Sequence, residues 1–186
     1  MNRLLLLLLL FAPAFAEAGV TIHFGGTAKT AESIDAIIAE ATATARSRKW
    51  RVEPVNKKRG ELERTTGDKT TKYVGAIRGV VLYPHDMCEP LRLEFSSDLV
   101  CQDFTKTQFA GADIHIAVVE LFRRLKPHFA RLEIEDEGEY WASSDRERLE
   151  LHIGTVNRML KDIRREKPSA RGPIKLKDGK IVNVIE

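Results

Sequence analysis

Two kinds of apolar pattern alternate along this chain, and their order limits the folds that it can adopt. Short stretches alternate apolar and polar residues, as a β-strand with one buried face does. Longer stretches repeat apolar residues every three or four positions, which is typical of an amphipathic helix. Their order predicts one α+β domain, β-α-β-β-β-α-β-α, in which about three helices pack on a mixed or mostly antiparallel sheet.

Five segments carry the strand pattern, at 20–24, 50–55, 74–83, 91–95 and 131–135. The third is apolar at successive positions near its end, which is typical of a strand covered on both faces. Residues 99–104 are a candidate for a further short strand. Residues 54–72 contain no apolar cluster, and we interpret them as a long exposed loop or as a ribbon that extends beyond the core.

Three segments carry the helix pattern, at 31–48, 112–128 and 144–166. Thr30 is placed to cap the first helix, and Ser144 with Glu147 forms a capping box at the start of the third. We assign residues 19–166 to a single domain. Residues 167–186 are interpreted as a linker followed by a short ribbon or a tail, because Asp178-Gly179 favours a tight turn.

The first eighteen residues have the composition of a secretory signal peptide. Arg3 precedes seven consecutive leucines, and small residues follow at Ala14, Ala16 and Ala18, so that cleavage is expected after Ala16 or Ala18. The apolar run is shorter than the roughly 20 residues that a transmembrane helix needs. We therefore expect an exported, soluble mature protein in the periplasm or outside the cell, with no membrane span after cleavage.

The two cysteines, Cys88 and Cys101, are predicted to form a disulfide. In an oxidising compartment an even pair of cysteines is first interpreted as a bond. On the chain-entropy model, closing a loop of this length would contribute ~3 kcal/mol. Two thiols at this spacing supply too few ligands for a zinc site, so no metal site is predicted.

Charge and motifs exclude several classes of function. The net charge of +3 is too small to indicate binding to a polyanion by itself. No aromatic residue lies between Lys57 and Lys72 to stack on a base, so the nucleic-acid signal is weak. None of the five histidines has the spacing of a helical zinc hydrolase, and no phosphate loop or dinucleotide fingerprint is present. No cofactor is predicted.

The acidic and aromatic segment after the last strand is the part least explained by folding alone. Adjacent like charges repel one another unless cations face them, and Tyr and Trp are typical anchors of recognition surfaces. The predicted binding residues are Glu135, Asp136, Glu137, Glu139, Tyr140 and Trp141. Two alternatives stay open: a cation site, and an acidic turn balanced by neighbouring arginines in which Trp141 closes the core over the last helix.

We interpret the chain as an exported binding or accessory domain, inhibitor-like or immunity-like, that recognises a protein partner through this segment. The alternative is a cell-envelope hydrolase that uses carboxylates among residues 133–139, with His115 as a further candidate. A third hypothesis is a purely structural envelope component, and the oligomeric state is left open. If the binding hypothesis holds, replacing Glu135, Asp136 and Glu137 together by Ser abolishes partner capture and leaves the melting temperature nearly unchanged.

Overall fold

A computed structural model describes residues 19–67 and 69–183 of the chain, so the predicted signal peptide lies outside the described residues. The predicted α+β class is confirmed, with antiparallel sheets. The elements are β1 (Thr21–Ala28), α1 (Ala31–Ser47), β2 (Arg51–Thr66), β3 (Lys69–Tyr83), β4 (Leu91–Ser96), β5 (Val100–Lys106), α2 (Ala112–Leu125), a 3-10 turn (Lys126–His128), β6 (Phe129–Asp136), α3 (Tyr140–Ser143), α4 (Arg146–Glu166), β7 (Ile174–Lys175) and β8 (Ile181–Val182).

The strands form two three-stranded antiparallel sheets and a two-stranded ribbon. The first sheet has the order β5-β1-β6, the second β2-β3-β4, and β7 pairs with β8. A tight turn links β4 to β5, in which the Leu99 N–H donates to Ser96 O at 3.0 Å. The segment named as a candidate short strand is therefore a full strand, β5, at the edge of the first sheet.

Of the two interpretations of residues 54–72, the ribbon is the one observed. Strands β2 and β3 form a long hairpin whose far half extends beyond the end of β4. This far half is tied back to the domain by two hydrogen bonds between the main chain of Thr65 and the amide of Gln102. Arg64 binds Asp98 at 2.7 and 2.8 Å and lowers the pKa of that carboxyl to about 2.

The main core lies between the sheets and helices α1 and α2. Phe24 of β1 contacts Phe122 of α2, with ring centroids 4.8 Å apart and the rings tilted. Ile34 and Ile37 of α1 are fully buried in the same core. Helix α4 begins at Arg146, with Asp145 rather than the predicted Ser144 as its cap. None of the helices within the described ranges is both long and apolar enough to cross a membrane.

The predicted disulfide is wrong, because Cys88 and Cys101 are separate, buried thiols. The sulfur of Cys88 lies 3.8 Å from Thr105 Oγ1. Cys101 is four residues away from Thr105 on the same extended strand, a distance of about 13 Å, whereas a disulfide needs Cα atoms within about 7 Å. Burial raises the pKa of both thiols, that of Cys88 to about 12.

The C-terminal ribbon is fastened to the domain by a buried carboxylate. Glu89 is 5% exposed, and its two oxygens accept the main-chain N–H groups of Ile181, at 2.7 Å, and of Lys106, at 3.1 Å. Lys175 donates to the main-chain oxygens of Asp86 and Cys88 at 2.7 and 3.0 Å. The ribbon therefore packs against β5 and the turn before β4.

Replacing Glu89 by Ala is expected to release the ribbon. The substitution leaves two main-chain donors without acceptors in a buried place, at a cost of about 1–3 kcal/mol for each group that stays buried. Hydrogen exchange at Ile181 and Lys106 should accelerate, whereas exchange in α1 should change much less. Unchanged exchange at Ile181 would show that Glu89 does not hold the ribbon.

Candidate functional site

The acidic and aromatic segment spans the end of β6, a turn and α3, and its side chains do not share one surface. Alternate residues of a strand point to opposite faces of the sheet. Register places Ile22 opposite Asp136 and His23 opposite Glu135. The carboxylate of Asp136 therefore points towards the core, whereas that of Glu135 points to the exposed side.

Asp136 is a buried structural residue, with 2% of its side chain exposed. One carboxylate oxygen accepts the Gly138 N–H and the other the Trp141 N–H, each at 2.8 Å. Burial by itself raises the pKa of Asp136, but the contact with His115 and the two main-chain donors outweigh it, so that the pKa lies below its ordinary value. The ionised carboxylate therefore organises the turn that carries the aromatic residues.

His115 of α2 lies between Asp136 and Thr107, the residue that directly follows β5. Its Nε2 lies 3.0 Å from Asp136 Oδ1, at an angle outside good hydrogen-bond geometry, and its Nδ1 lies 2.8 Å from Thr107 Oγ1. Thr, His and Asp in this order resemble the nucleophile, the base and the orienting carboxylate of a catalytic triad. However, Thr107 and His115 are fully buried, so a substrate cannot reach either of them in this arrangement.

The other acidic residues of the turn have local partners. Glu137 accepts the Thr21 N–H at 2.8 Å and lies 3.8 Å from His23 Nε2. Burial alone raises the pKa of Glu137, but the nearby His23 and the hydrogen bond from Thr21 lower it overall. Glu139 pairs with Arg148 and lies 3.7 Å from His152.

The two aromatic residues are half-buried and are held by one arginine. The Arg123 guanidinium lies 5.5 Å from the Tyr140 ring centre and 5.8 Å from that of Trp141. It also donates to the main-chain oxygens of both residues, at 3.2 and 3.0 Å. Of the alternatives left open by the sequence, these contacts favour an acidic turn whose charge is balanced by arginines. This holds for Glu139, Tyr140 and Trp141.

A second set of acidic residues shares one exposed sheet face. Glu133 and Glu135 of β6 lie on the side away from α2, and Glu137, just after the end of β6, lies next to His23 on the same side. Two-thirds of the Glu133 side chain is exposed. Next to them lie His23 of β1 and Phe104 of β5, whose rings are 5.6 Å apart. We call this surface the acidic face: Glu133, Glu135, Glu137, His23 and Phe104.

Four residues of the acidic face, all except Glu137, line an open trough of about 920 Å³. Thr65 of the hairpin and Lys180 of the ribbon also line it, as does Trp141 beside β6. Gly25 leaves part of the trough without a side chain. Asp103 also lines it, and burial raises the pKa of this carboxyl to about 6.

Sequence reasoning missed His23 and Phe104 as site residues. They meet because β1 lies between β5 and β6, and this strand order is not readable from the sequence. The sequence did contain a signal for which carboxylates share a face. If the alternation predicted over residues 131–135 is continued to residue 137, Glu135 and Glu137 fall on one face and Asp136 on the other.

The geometry of the site is the main source of information about function. Within residues 19–67 and 69–183, no three His, Cys, Asp or Glu side chains converge in a way that could hold a metal ion. Comparisons with protein-family models, curated proteins and solved structures find no match for this chain. The shape and charge of the trough are therefore the features that bear on function.

Proposed function

We propose that this protein is a binding domain that recognises a basic segment of a protein partner through the acidic face. One observation carries the proposal: two in-register carboxylates, Glu133 and Glu135, line an open trough on an exposed face of the first sheet, and Glu137 lies beside them next to His23. This narrows the predicted site. The proposed site keeps Glu135 and Glu137 and adds Glu133. Asp136 is left out of it, because its carboxylate holds the adjoining turn.

Electrostatics and apolar contact both favour a cationic partner. The three glutamates repel one another in the free protein, and a partner with positive charges would relieve this repulsion. Arg131 pairs with Glu133 on the same strand, but an exposed pair of this kind contributes little. Phe104 is 37% exposed next to the carboxylates and offers an apolar contact.

We also propose that the protein works outside the cytoplasm. This part rests on the leader in residues 1–18 alone, because the two cysteines no longer support an oxidising compartment. Fractionation of cells that express the chain with a C-terminal tag tests it. An exported species that has lost its first 16 or 18 residues supports export, and a full-length species in the cytosol contradicts it.

The hydrolase alternative has less support. His115 and Asp136 are buried, and Glu137 and Glu139 are each held by a different partner. A structural envelope component stays an alternative, which predicts self-association and no ligand. Binding of a cationic peptide distinguishes the proposal from both.

The first test measures binding of a heptalysine peptide by calorimetry at low salt. The variant Glu133→Gln with Glu135→Gln removes two exposed charges from the acidic face. At up to about 1 kcal/mol for each exposed charge contact, affinity is expected to fall by about tenfold. Added salt should weaken binding to the unchanged protein, because it screens exposed charges.

The control variant makes the same change in net charge elsewhere. Glu147→Gln with Glu166→Gln removes two exposed carboxylates from α4 and should leave the affinity nearly unchanged. A heptaglutamate peptide should not bind. The proposal fails if heptalysine does not bind, or if both double variants weaken binding equally.

A further inference from the structure

The unpaired edge of β6 indicates how the partner segment binds. We propose, on the basis of the proposed function, that the partner segment binds as an extended strand that pairs with β6. Its residues alternate between basic side chains, which meet the acidic face, and apolar side chains, which meet a groove beside Trp141. The proposal rests on the edge, the groove and the charge of β6.

β6 is an edge strand within the described part of the chain: it pairs with β1, and none of the other described strands pairs with its far side. The Glu137 N–H donates to Thr21 O at 3.1 Å. Because hydrogen-bonded and non-hydrogen-bonded positions alternate in an antiparallel pair, the main chain of Glu135 also faces β1. The main-chain groups of Leu132 and Ile134 then face the far side, where an added strand can bond them.

This edge lacks proline and lysine, two of the features that prevent pairing. The edge strand of the second sheet, β2, carries Pro54 together with Lys57 and Lys58, and proline and lysine both discourage the addition of a strand. β6 has no proline between residues 129 and 136. Two of its exposed side chains, Glu133 and Glu135, are acidic, and the exposed Arg131 is paired with Glu133, so the edge favours basic segments over acidic ones.

A groove with an apolar wall runs beside the same edge. It has a volume of about 430 Å³; Ile134, Trp141 and Ala142 form the apolar wall, and the rest is lined by Asp136, Glu139, Ser143 and Arg148. Ile134 and Trp141 also line the trough of the acidic face, so the two depressions adjoin. An added strand would place alternate side chains on the two sides of β6: one set near Glu133 and Glu135, the other in the groove.

Two peptides of identical composition separate strand pairing from charge attraction. The first alternates four lysines with three valines, and the second has the four lysines followed by the three valines. Charge attraction alone gives equal affinities, whereas strand pairing requires the alternation. We expect the alternating peptide to bind about tenfold more tightly, a difference of about 1.4 kcal/mol.

Methylation of the peptide main chain then tests the direction of the hydrogen bonds. Valines opposite Ile134 donate their N–H groups to β6, and lysines opposite Glu133 point theirs away from it. N-methylation at the valines should therefore abolish the advantage of alternation, and N-methylation at the lysines should leave most of it. In the complex, hydrogen exchange should slow at Leu132 and Ile134.

These experiments distinguish failure of strand pairing from failure of the proposed function. If neither peptide binds, the proposed function itself fails. If both bind equally, without slower exchange at Leu132 and Ile134, the acidic face binds basic segments but strand pairing is wrong. If exchange at these two residues is already slow in a dimer without peptide, the edge is an interface between two copies, and the proposal is overturned.

Discussion

Replacing Asp136 by Ala is expected to destabilise the domain by about 2–6 kcal/mol, because two buried main-chain N–H groups lose their acceptor at a cost of about 1–3 kcal/mol each. The substitution leaves the N–H groups of Gly138 and Trp141 without their acceptor. It also leaves His115 buried without its carboxylate. Because small domains are stable by about 5–15 kcal/mol in total, a loss of this size is a large part of the whole.

Urea unfolding measures this loss, with Glu135→Ala as the matched control. Glu135 is the preceding residue and also an acid, but it is exposed, so its removal should cost less than about 0.5 kcal/mol. Equal effects of the two substitutions would contradict the assignment of Asp136 as a buried support. If Asp136→Ala does not fold, Asp136→Asn, which keeps one acceptor oxygen, is expected to give a smaller and measurable loss.

The same residue changes the interpretation of the triple serine variant. From the sequence, replacing Glu135, Asp136 and Glu137 together was expected to remove binding without changing the melting temperature. The structure predicts a large fall in melting temperature, because the triple variant includes Asp136. Variants of Glu133 and Glu135 test recognition without this loss.

Replacing Asp103 by Asn is expected to stabilise the domain at pH 8, by up to about 3 kcal/mol. Burial raises the pKa of this carboxyl from 3.8 to about 6, and a pKa difference of one between the folded and unfolded states corresponds to about 1.4 kcal/mol. Between these two values the folded state binds the proton more tightly than the unfolded state. Stability is therefore lost as the pH rises through this window, and the cost is complete above pH 6.

Thermal unfolding at two pH values tests whether Asp103→Asn stabilises the protein only at the higher pH. At pH 3.5 the carboxyl is mostly protonated in both states, so Asp103→Asn should have little effect, whereas at pH 8 it should raise the melting temperature. Asp162→Asn removes an exposed carboxylate and should show a much smaller pH-dependent gain. A stabilisation of Asp103→Asn that is equal at both pH values would contradict the raised pKa.

Much of the architecture could be predicted from local pattern. The stripe that includes Ile34 and Ile37 identified α1 and its buried face, because helical periodicity depends on the chain alone. The alternation at Leu132 and Ile134 identified β6 in the same way. The hairpin of β2 and β3 stayed ambiguous, since its far half buries few apolar side chains and is tied back by polar contacts such as Arg64 with Asp98.

What the sequence by itself determined is the α+β class, most of the elements and the acidic character of the segment after Ile134. Which of its carboxylates are buried was decided only by the tertiary structure, because His115, the partner of Asp136, comes from a helix about twenty residues away along the chain. The cysteines illustrate the same limit. Spacing favoured a bond between Cys88 and Cys101, but Cys88 packs beside Thr105, a distant position on the strand that also carries Cys101. Proximity in space depends on strand order and register, and these are set by packing between elements rather than by local pattern.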